Sequence, residues 1–276
     1  MQRQKAGLLG LEMAMILLAL LFIYPILLVV QNSLKTFAEV MTNVIALPKG
    51  FAWENYVYVW HEMNYPRLFL NNVIVTGVGV AGTIAIASVA TYMLARTKGK
   101  TSTFIYLFCI LPMLIPFQSI MVTVLKLMKM LHLSDSVWGL GVQYWGFAAP
   151  MAVFIYHGFV KSVPKELDES AKMDGASTFQ TFYKIIFPLL KPVTTTVFII
   201  DVMWFWNDFL LPLIMVNGLQ STKTLTLAAY TFVGQYNTDW QYAMTAMFMA
   251  VFPSILVFIF LQKFIVKGVV AGAVKG

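Results

Sequence analysis

The chain has 276 residues, 59% of them hydrophobic and only 11% charged. That balance excludes an ordinary soluble globular domain and leaves room for about six membrane spans of roughly 20 residues each. The net charge of +7 does not mark a nucleic-acid surface, because the basic residues fall between long apolar runs, where they act as orientation signals. The single cysteine, Cys109, lies in an apolar run and allows neither an internal disulfide nor a thiol metal site.

Arg3 and Lys5 precede an uncharged run over 13–30. No small-residue cleavage site follows, so the run reads as a retained first span, about 11–33. The polar region 36–70 carries Phe51, Trp53, Tyr56, Tyr58 and Trp60 around Pro48 and Gly50, and such rings favour the membrane interface. The second span covers about 71–95. Its Gly77, Ala81 and Ala85 fall at i, i+4 and i+8 and predict a small face for close helix approach. Gly99-Lys100-Thr101 imitates the end of a phosphate-binding loop, but Leu94 stands where that motif needs glycine and no strand precedes it. It is a basic turn, which leaves no nucleotide site in the chain. The third span, about 103–126, holds Pro112 and Pro116, which predict a kink or interruption. Gln118, Ser119 and Thr123 are its polar groups. The fourth span covers about 137–160.

The loop 161–192 is charged but not slack. Ser162 is a candidate helix cap and Pro164 suits a first turn. Glu166, Asp168 and Glu169 complement the positive end of that helix, and Gly175 ends it. Ser177 and Gln180 form a capping-box pattern that opens a second helix. Phe179, Phe182, Tyr183 and Ile186 follow as one apolar stripe, which Pro188 closes. The loop is an amphipathic helix–turn–helix.

The fifth span, about 193–216, differs from the rest in carrying Asp201, Asn207 and Asp208 among Trp204, Phe205, Trp206 and Phe209. Intramembrane acids are rare and usually face a bundle interior or water. On a continuous helix Asp208 shares a face with Asp201, with Asn207 and Trp204 beside that line. Asp201 either lines a path or pairs with a neighbouring helix. The polar segment 216–241 and a sixth span, about 243–263 with Pro253, complete the chain. Of the nineteen Lys and Arg residues, thirteen fall on the side of the N-terminus, the 96–100 turn, the 161–192 loop and the tail. Both termini and that loop are therefore expected in the cytoplasm. His61, His132 and His157 share no ligand spacing and read as structural or interfacial. No nucleophile–base pair or metal motif appears, so the chain is not expected to be a catalyst.

Glu169-Ser170-Ala171, three residues, Gly175, nine residues, then Ile185-Ile186-Phe187-Pro188 resembles the EAA loop of the permease subunits of bacterial ABC importers. Ser170 stands for an alanine of the usual pattern and Phe187 for a leucine. The segment 51–56 is similar to a stretch at this point in sugar-type permeases, and the ending Phe264-Ile265-Val266-Lys267-Gly268 through Gly276 is similar to that of the second permease of maltose-type carbohydrate importers. The resemblance implies an all-α, six-span polytopic membrane protein of the type I importer class, a single transmembrane domain over 1–276 in the bacterial cytoplasmic membrane. It implies a sugar or oligosaccharide permease working by alternating access. Its partners are then a second, homologous permease, two ATP-binding subunits that carry ATP and Mg, an extracellular solute-binding protein and membrane lipid, with no cofactor and no nucleic acid on this chain. Carried over by position, Glu169, Ser170, Ala171, Asp174, Gly175, Ile185 and Pro188 couple to the ATPase. Asp201, Trp204, Asn207, Asp208 and Gln118 are the candidate substrate path, and Lys275 and Gly276 candidate ATPase contacts. A permease for glycerol phosphate or a peptide, or an ion-coupled carrier, remains an alternative.

Overall fold

The computed structural model describes residues 2–234 and 238–273, with side chains from 8 to 234 and 238 to 263. Lys275 and Gly276, the expected tail contacts, lie outside the described residues. In chain order the helices are α1 (Gln2–Ser33), α2 (Phe37–Thr42), α3 (Glu54–Glu62), α4 (Tyr65–Arg96), α5 (Lys100–Ile110), α6 (Phe117–Met130) and α7 (Val137–Ser162). They continue with α8 (Glu166–Met173), α9 (Thr178–Thr181), α10 (Phe187–Leu189), α11 (Lys191–Asn207), α12 (Leu210–Met215), α13 (Leu225–Ala229) and α14 (Trp240–Ala273). The only strand pairing among the described residues is an isolated bridge between Val233 and Thr238.

Leu8–Ser33, Tyr65–Arg96 and Trp240–Lys263 are each long and apolar enough to cross a bilayer. Two more apolar stretches are bent. Lys100–Leu114 meets α6 at 105°, and Thr178–Leu189 meets α11 at 76°. Pro112 and Pro116 stand at the first bend, where a short 3-10 turn over Leu111–Leu114 replaces the α-helix. Each removes an N–H that a continuous helix needs. α7 has 26 residues but falls short in apolarity. Its glycines, Gln143, Trp138 and Trp145 dilute it, and half of its length packs against protein instead of lipid.

The chain divides into two compact units, Met1–Pro66 with Ala228–Phe252, and Arg67–Leu227 with Pro253–Gly276. In the first unit α1 presents its side chains outward from 8 to 27. Its last turn is clasped. Asn55 Nδ2 donates to the carbonyls of Ser33 (2.9 Å) and Lys35 (2.8 Å), and Thr245 Oγ1 of α14 donates to the Ser33 carbonyl (3.0 Å). Lys35 is buried, and its ammonium donates to Asn32 Oδ1 (3.0 Å) and the carbonyls of Asn43 (3.0 Å) and Val44 (3.2 Å). Burial pulls its pKa below the ordinary lysine value. Thr36 and Glu39 form a reciprocal capping box, and Glu39 also accepts from the Lys49 N–H at 3.1 Å. Those N–H bonds hold the Glu39 carboxyl below its usual range. Tyr58 stacks on Tyr242 at 4.3 Å and Trp60 on Tyr65 at 4.8 Å, so the aromatic region predicted from the sequence is a set of ring contacts.

In the second unit α7 lies against α5, α11 and α12. One core gathers Val75, Val80, Leu140, Tyr144, Phe205 and Met215; another gathers Ala87, Tyr92, Tyr156, Phe182, Ile186 and Val197. The small face expected from Gly77, Ala81 and Ala85 is exposed instead. Close approach is made by the adjacent face of α4, which carries the larger buried residues Leu68, Val75, Val80 and Tyr92. There a Cβ on Gly82 would lie 2.0 Å from the Trp145 indole, and one on Gly79 would lie 2.9 Å from the Phe205 ring. Trp145 Nε1 donates to the Val78 carbonyl at 2.8 Å, which fixes the indole across that gap.

Candidate functional site: a coupling elbow and a polar cleft

The loop between α7 and α11 is a folded elbow. Ser162 does not cap α8, as its position suggested; it is the last residue of α7 and its Oγ bonds back to the Phe159 carbonyl at 2.8 Å. The chain leaves α7 through Val163 and Pro164, and α8 starts at Glu166. α8 ends as predicted at Gly175, with φ +79°. The Gly175 N–H bonds to the Lys172 carbonyl (3.0 Å) and the Ala176 N–H to the Ala171 carbonyl (2.9 Å), the two reverse bonds of a Schellman turn. The Ser177–Gln180 capping box is present in both directions and opens α9.

The expected single stripe is split. Phe182 and Ile186 are buried in the unit's core, while Phe179 and Tyr183 face outward with parallel rings 6.3 Å apart. A π-helical turn over Phe182–Ile186 causes the division, because it shifts the register one residue before Pro188. Among the residues singled out for coupling, Glu169, Ser170, Asp174, Gly175 and Pro188 are exposed, Ile185 is half-buried and Ala171 is buried. Met173 is 88% exposed beside them. An acid, an open backbone turn and a group of bare apolar side chains thus share the elbow's surface, a composition that suits a protein partner.

Asp168 behaves differently from its neighbour Glu169. It is buried, accepts a hydrogen bond from Tyr92 Oη at 2.5 Å and lies 2.9 Å from Arg96 Nη2. In sequence it read only as a dipole-complementing acid, and Arg96 only as an orientation charge. Nothing in their spacing announced the pairing, since 72 residues separate the two.

The second candidate region is a cleft of about 170 Å³ lined by Phe117, Gln118, Tyr144, Phe147, Trp204, Asp208, Leu210 and Leu211. It brings together three residues singled out from sequence, Gln118, Trp204 and Asp208. It lies where two helices are interrupted: α6 begins at Phe117, after the bend, and α11 ends at Asn207. Asp208 is extended (φ −66°, ψ 143°), so it does not share a helical face with Asp201 as expected. Its Oδ2 accepts from Tyr144 Oη at 2.7 Å and its Oδ1 from the Leu210 N–H at 3.2 Å. Irregular backbone at membrane depth is tolerated where it lines a cavity. Tyr144, which no sequence signal flagged, stacks on Phe205 at 4.1 Å and meets Trp204 edge-on at 6.3 Å.

Asp201 and Asn207 are not among the cleft's lining residues. Asp201 is buried, and its Oδ2 makes no hydrogen bond. Asn207 is used structurally, donating to the Met203 carbonyl (2.8 Å) and accepting from Ser254 Oγ (3.0 Å). His157 stacks on Tyr106 at 3.7 Å. Among the described residues no three His, Cys, Asp or Glu side chains come together as a metal site. The cleft offers flat rings, one carboxylate and one amide.

Residues 69–271 match the family described as binding-protein-dependent transport system inner membrane component. The chain belongs to this family. The permease is 37% identical over 260 residues, 94% of each chain, to the probable starch degradation products transport system permease AmyC of Thermoanaerobacterium thermosulfurigenes. It is 35% identical to the multiple sugar-binding transport system permease MsmG of Streptococcus mutans, over 93% of each chain. It is 31% identical to the melibiose/raffinose/stachyose import permease MelC of Bacillus subtilis, over 91% of each. Its fold matches a chain of the crystal structure of a bacterial ABC transporter involved in the import of the acidic polysaccharide alginate, with TM-score 0.78 and 19% identity over 94% of the permease and 97% of that chain. The permease is thus an all-α inner-membrane subunit of an ABC importer and not an enzyme. The ion-coupled carrier considered from sequence finds no support in these relatives.

Proposed function

We infer that this permease imports a sugar or oligosaccharide by alternating access, as one half of a permease pair driven by two ATP-binding subunits and fed by an external solute-binding protein. The observation that carries the coupling half of this reading is the elbow: Glu169, Ser170 and Asp174 are exposed on α8 around the Gly175 turn, at the spacing of the EAA pattern. ATP and Mg belong to the ATP-binding subunits. The Lys and Arg distribution supports a cytoplasmic position for this elbow and for both termini.

Two things support a sugar. AmyC, MsmG and MelC are named for starch products, multiple sugars, and melibiose, raffinose and stachyose. The cleft supplies what a sugar ring asks for: Trp204 for an apolar ring face, and Asp208 and Gln118 for hydroxyls. Asp201 and Asn207 take supporting positions beside that path.

The test is growth and radiolabelled uptake over a panel of sugars, glycerol phosphate and peptides in a strain lacking this gene and complemented with variants. Glu169→Lys is expected to abolish uptake while the protein remains at normal membrane level. Asp208→Asn is expected to raise the half-saturating sugar concentration or lower the rate by about tenfold, the scale of one lost charge-assisted hydrogen bond, and Trp204→Ala is expected to weaken binding through the lost ring face. Normal uptake in the Glu169 variant would remove the elbow from coupling. Restored growth only on glycerol phosphate or peptide would replace the substrate class.

A further inference from the structure

α4 is gripped at both ends by polar side chains. At its inner end, Tyr92 and Arg96 hold Asp168 of α8, and Arg96 Nη1 also donates to the Val163 carbonyl at 3.1 Å, in the link between α7 and α8. The Tyr92 ring packs on Phe182, in the other arm of the elbow, at 5.2 Å. One helical turn therefore fastens both arms and the link between them. At the outer end, Asn71 Nδ2 donates to the carbonyls of Ser221 (3.0 Å) and Lys223 (2.9 Å). Asn72 donates to the Trp206 carbonyl (3.1 Å) and accepts from the Leu225 N–H (2.8 Å). Trp206 is two residues from Asp208, where the cleft opens.

α4 is uninterrupted for 32 residues, and from Asn71 to Arg96 it spans about 38 Å at ~1.5 Å per residue. It has no proline after Pro66, and at Gly79 and Gly82 it packs to backbone distance against Phe205 and Trp145. Close-packed interiors transmit displacement because they compress little. A helix so built moves as a rod.

The geometry points to α4 as the connecting rod of the transporter, with Asp168 the positioning residue that passes motion of α8 into it. Asn71 and Asn72 pass that motion on to the segment 221–225 and to the end of α11 beside the cleft. This rests on the reading of α8 as the ATPase contact. The grip holds under load because removing one member of a buried ion pair strands the other, so the two separate less readily than exposed charges do. The link 163–165 cannot bypass the rod, since it is itself bonded to Arg96.

The test uses the whole transporter in proteoliposomes, measuring substrate moved per ATP hydrolysed together with co-purification of the ATP-binding subunits. Asp168→Asn and Asn71→Ala are each expected to lower that ratio by about tenfold, within the range found for residues on coupling routes, with the ATP-binding subunits still bound. Tyr92→Phe deletes one hydroxyl without disturbing packing and is expected to lower it about threefold. Asp168→Glu, which keeps the charge, is expected to recover most of the loss. The double variant Asp168→Asn with Asn71→Ala is expected to fall no further than the worse single one, because a rod already disconnected at one end loses nothing at the other. Wild-type ratios in the single variants, or losses that multiply in the double, would overturn the rod. Loss of the ATP-binding subunits from Asp168→Asn alone would also overturn it, making Asp168 a docking residue. A wild-type chain that captures no ATP-binding subunit would overturn the assignment of α8 and the rod with it.

Discussion

Gly175 and Gly82 are both obligatory glycines, for reasons that predict opposite phenotypes. At Gly175 the backbone sits at φ +79° with no atom near enough to touch an added Cβ. Alanine there meets no obstacle but is held in the left-handed region, at a cost of about 1–2 kcal/mol. The strain is local to the elbow. Gly175→Ala is expected to reach the membrane at normal level and to import several-fold more slowly, as checked by immunoblot against uptake. At Gly82 the backbone is ordinary and the space is absent, since the added carbon falls 2.0 Å from the Trp145 indole. Trp145 is fixed by its bond to the Val78 carbonyl and cannot swing aside without losing it. Gly82→Ala is expected to cost roughly 1–3 kcal/mol by overpacking, seen as a lower unfolding temperature of the purified chain in detergent. Gly77→Ala, on the open face of the same helix, is the control expected to leave that temperature unchanged.

Among the elements, those legible in the sequence were those whose signal is local. The Ser177–Gln180 box, the glycine stop at 175 and the interruption near Pro112 and Pro116 all depend on residues within a turn of each other, and the structure has each of them. The stripe from Phe179 to Ile186 failed because a π turn changes the period that the reading assumed. The shared face of Asp201 and Asp208 failed because α11 ends between them. Three of five path residues were found in the cleft, but Tyr144, which fixes the carboxylate of Asp208, had no local signal at all. The α2 region adds a pH prediction. Glu39 is half-buried, and backbone N–H groups lower its pKa in the fold, so its contribution is present above the ordinary carboxyl value of 4.5 and is lost as pH falls through the lowered one. Limited proteolysis of 36–49 is expected to accelerate below about pH 4, and Glu39→Gln is expected to show that faster cleavage already at neutral pH. Cleavage that ignores both changes would mean that the buried Lys35 alone holds the segment.

For the whole molecule, the charge asymmetry and the proposed role of the elbow make one joint prediction: α8 and the segment 43–53 are expected on opposite sides of the membrane. The prediction is strict because it is drawn from the whole set of Lys and Arg residues rather than from any one loop. The lone Cys109 makes the test clean, since Cys109→Ser leaves a chain with no thiol. On that background Leu47→Cys places a probe at a position 79% exposed in the outer segment, and Ser170→Cys places one on the open face of α8. A membrane-impermeant maleimide is expected to label the residue 47 variant in spheroplasts and the residue 170 variant only in inside-out vesicles. Co-expression of the ATP-binding subunits is expected to shield position 170 and leave position 47 unchanged, because on the proposed reading only α8 would be covered by a docked ATP-binding subunit. Labelling of both from one side would require an odd number of crossings between them to become even, which means that the bent stretch Lys100–Met130 turns back within the membrane. Labelling in the reverse sense would put the elbow outside the cell, beyond the reach of ATP, and the acid at 169 would then have nothing to couple to.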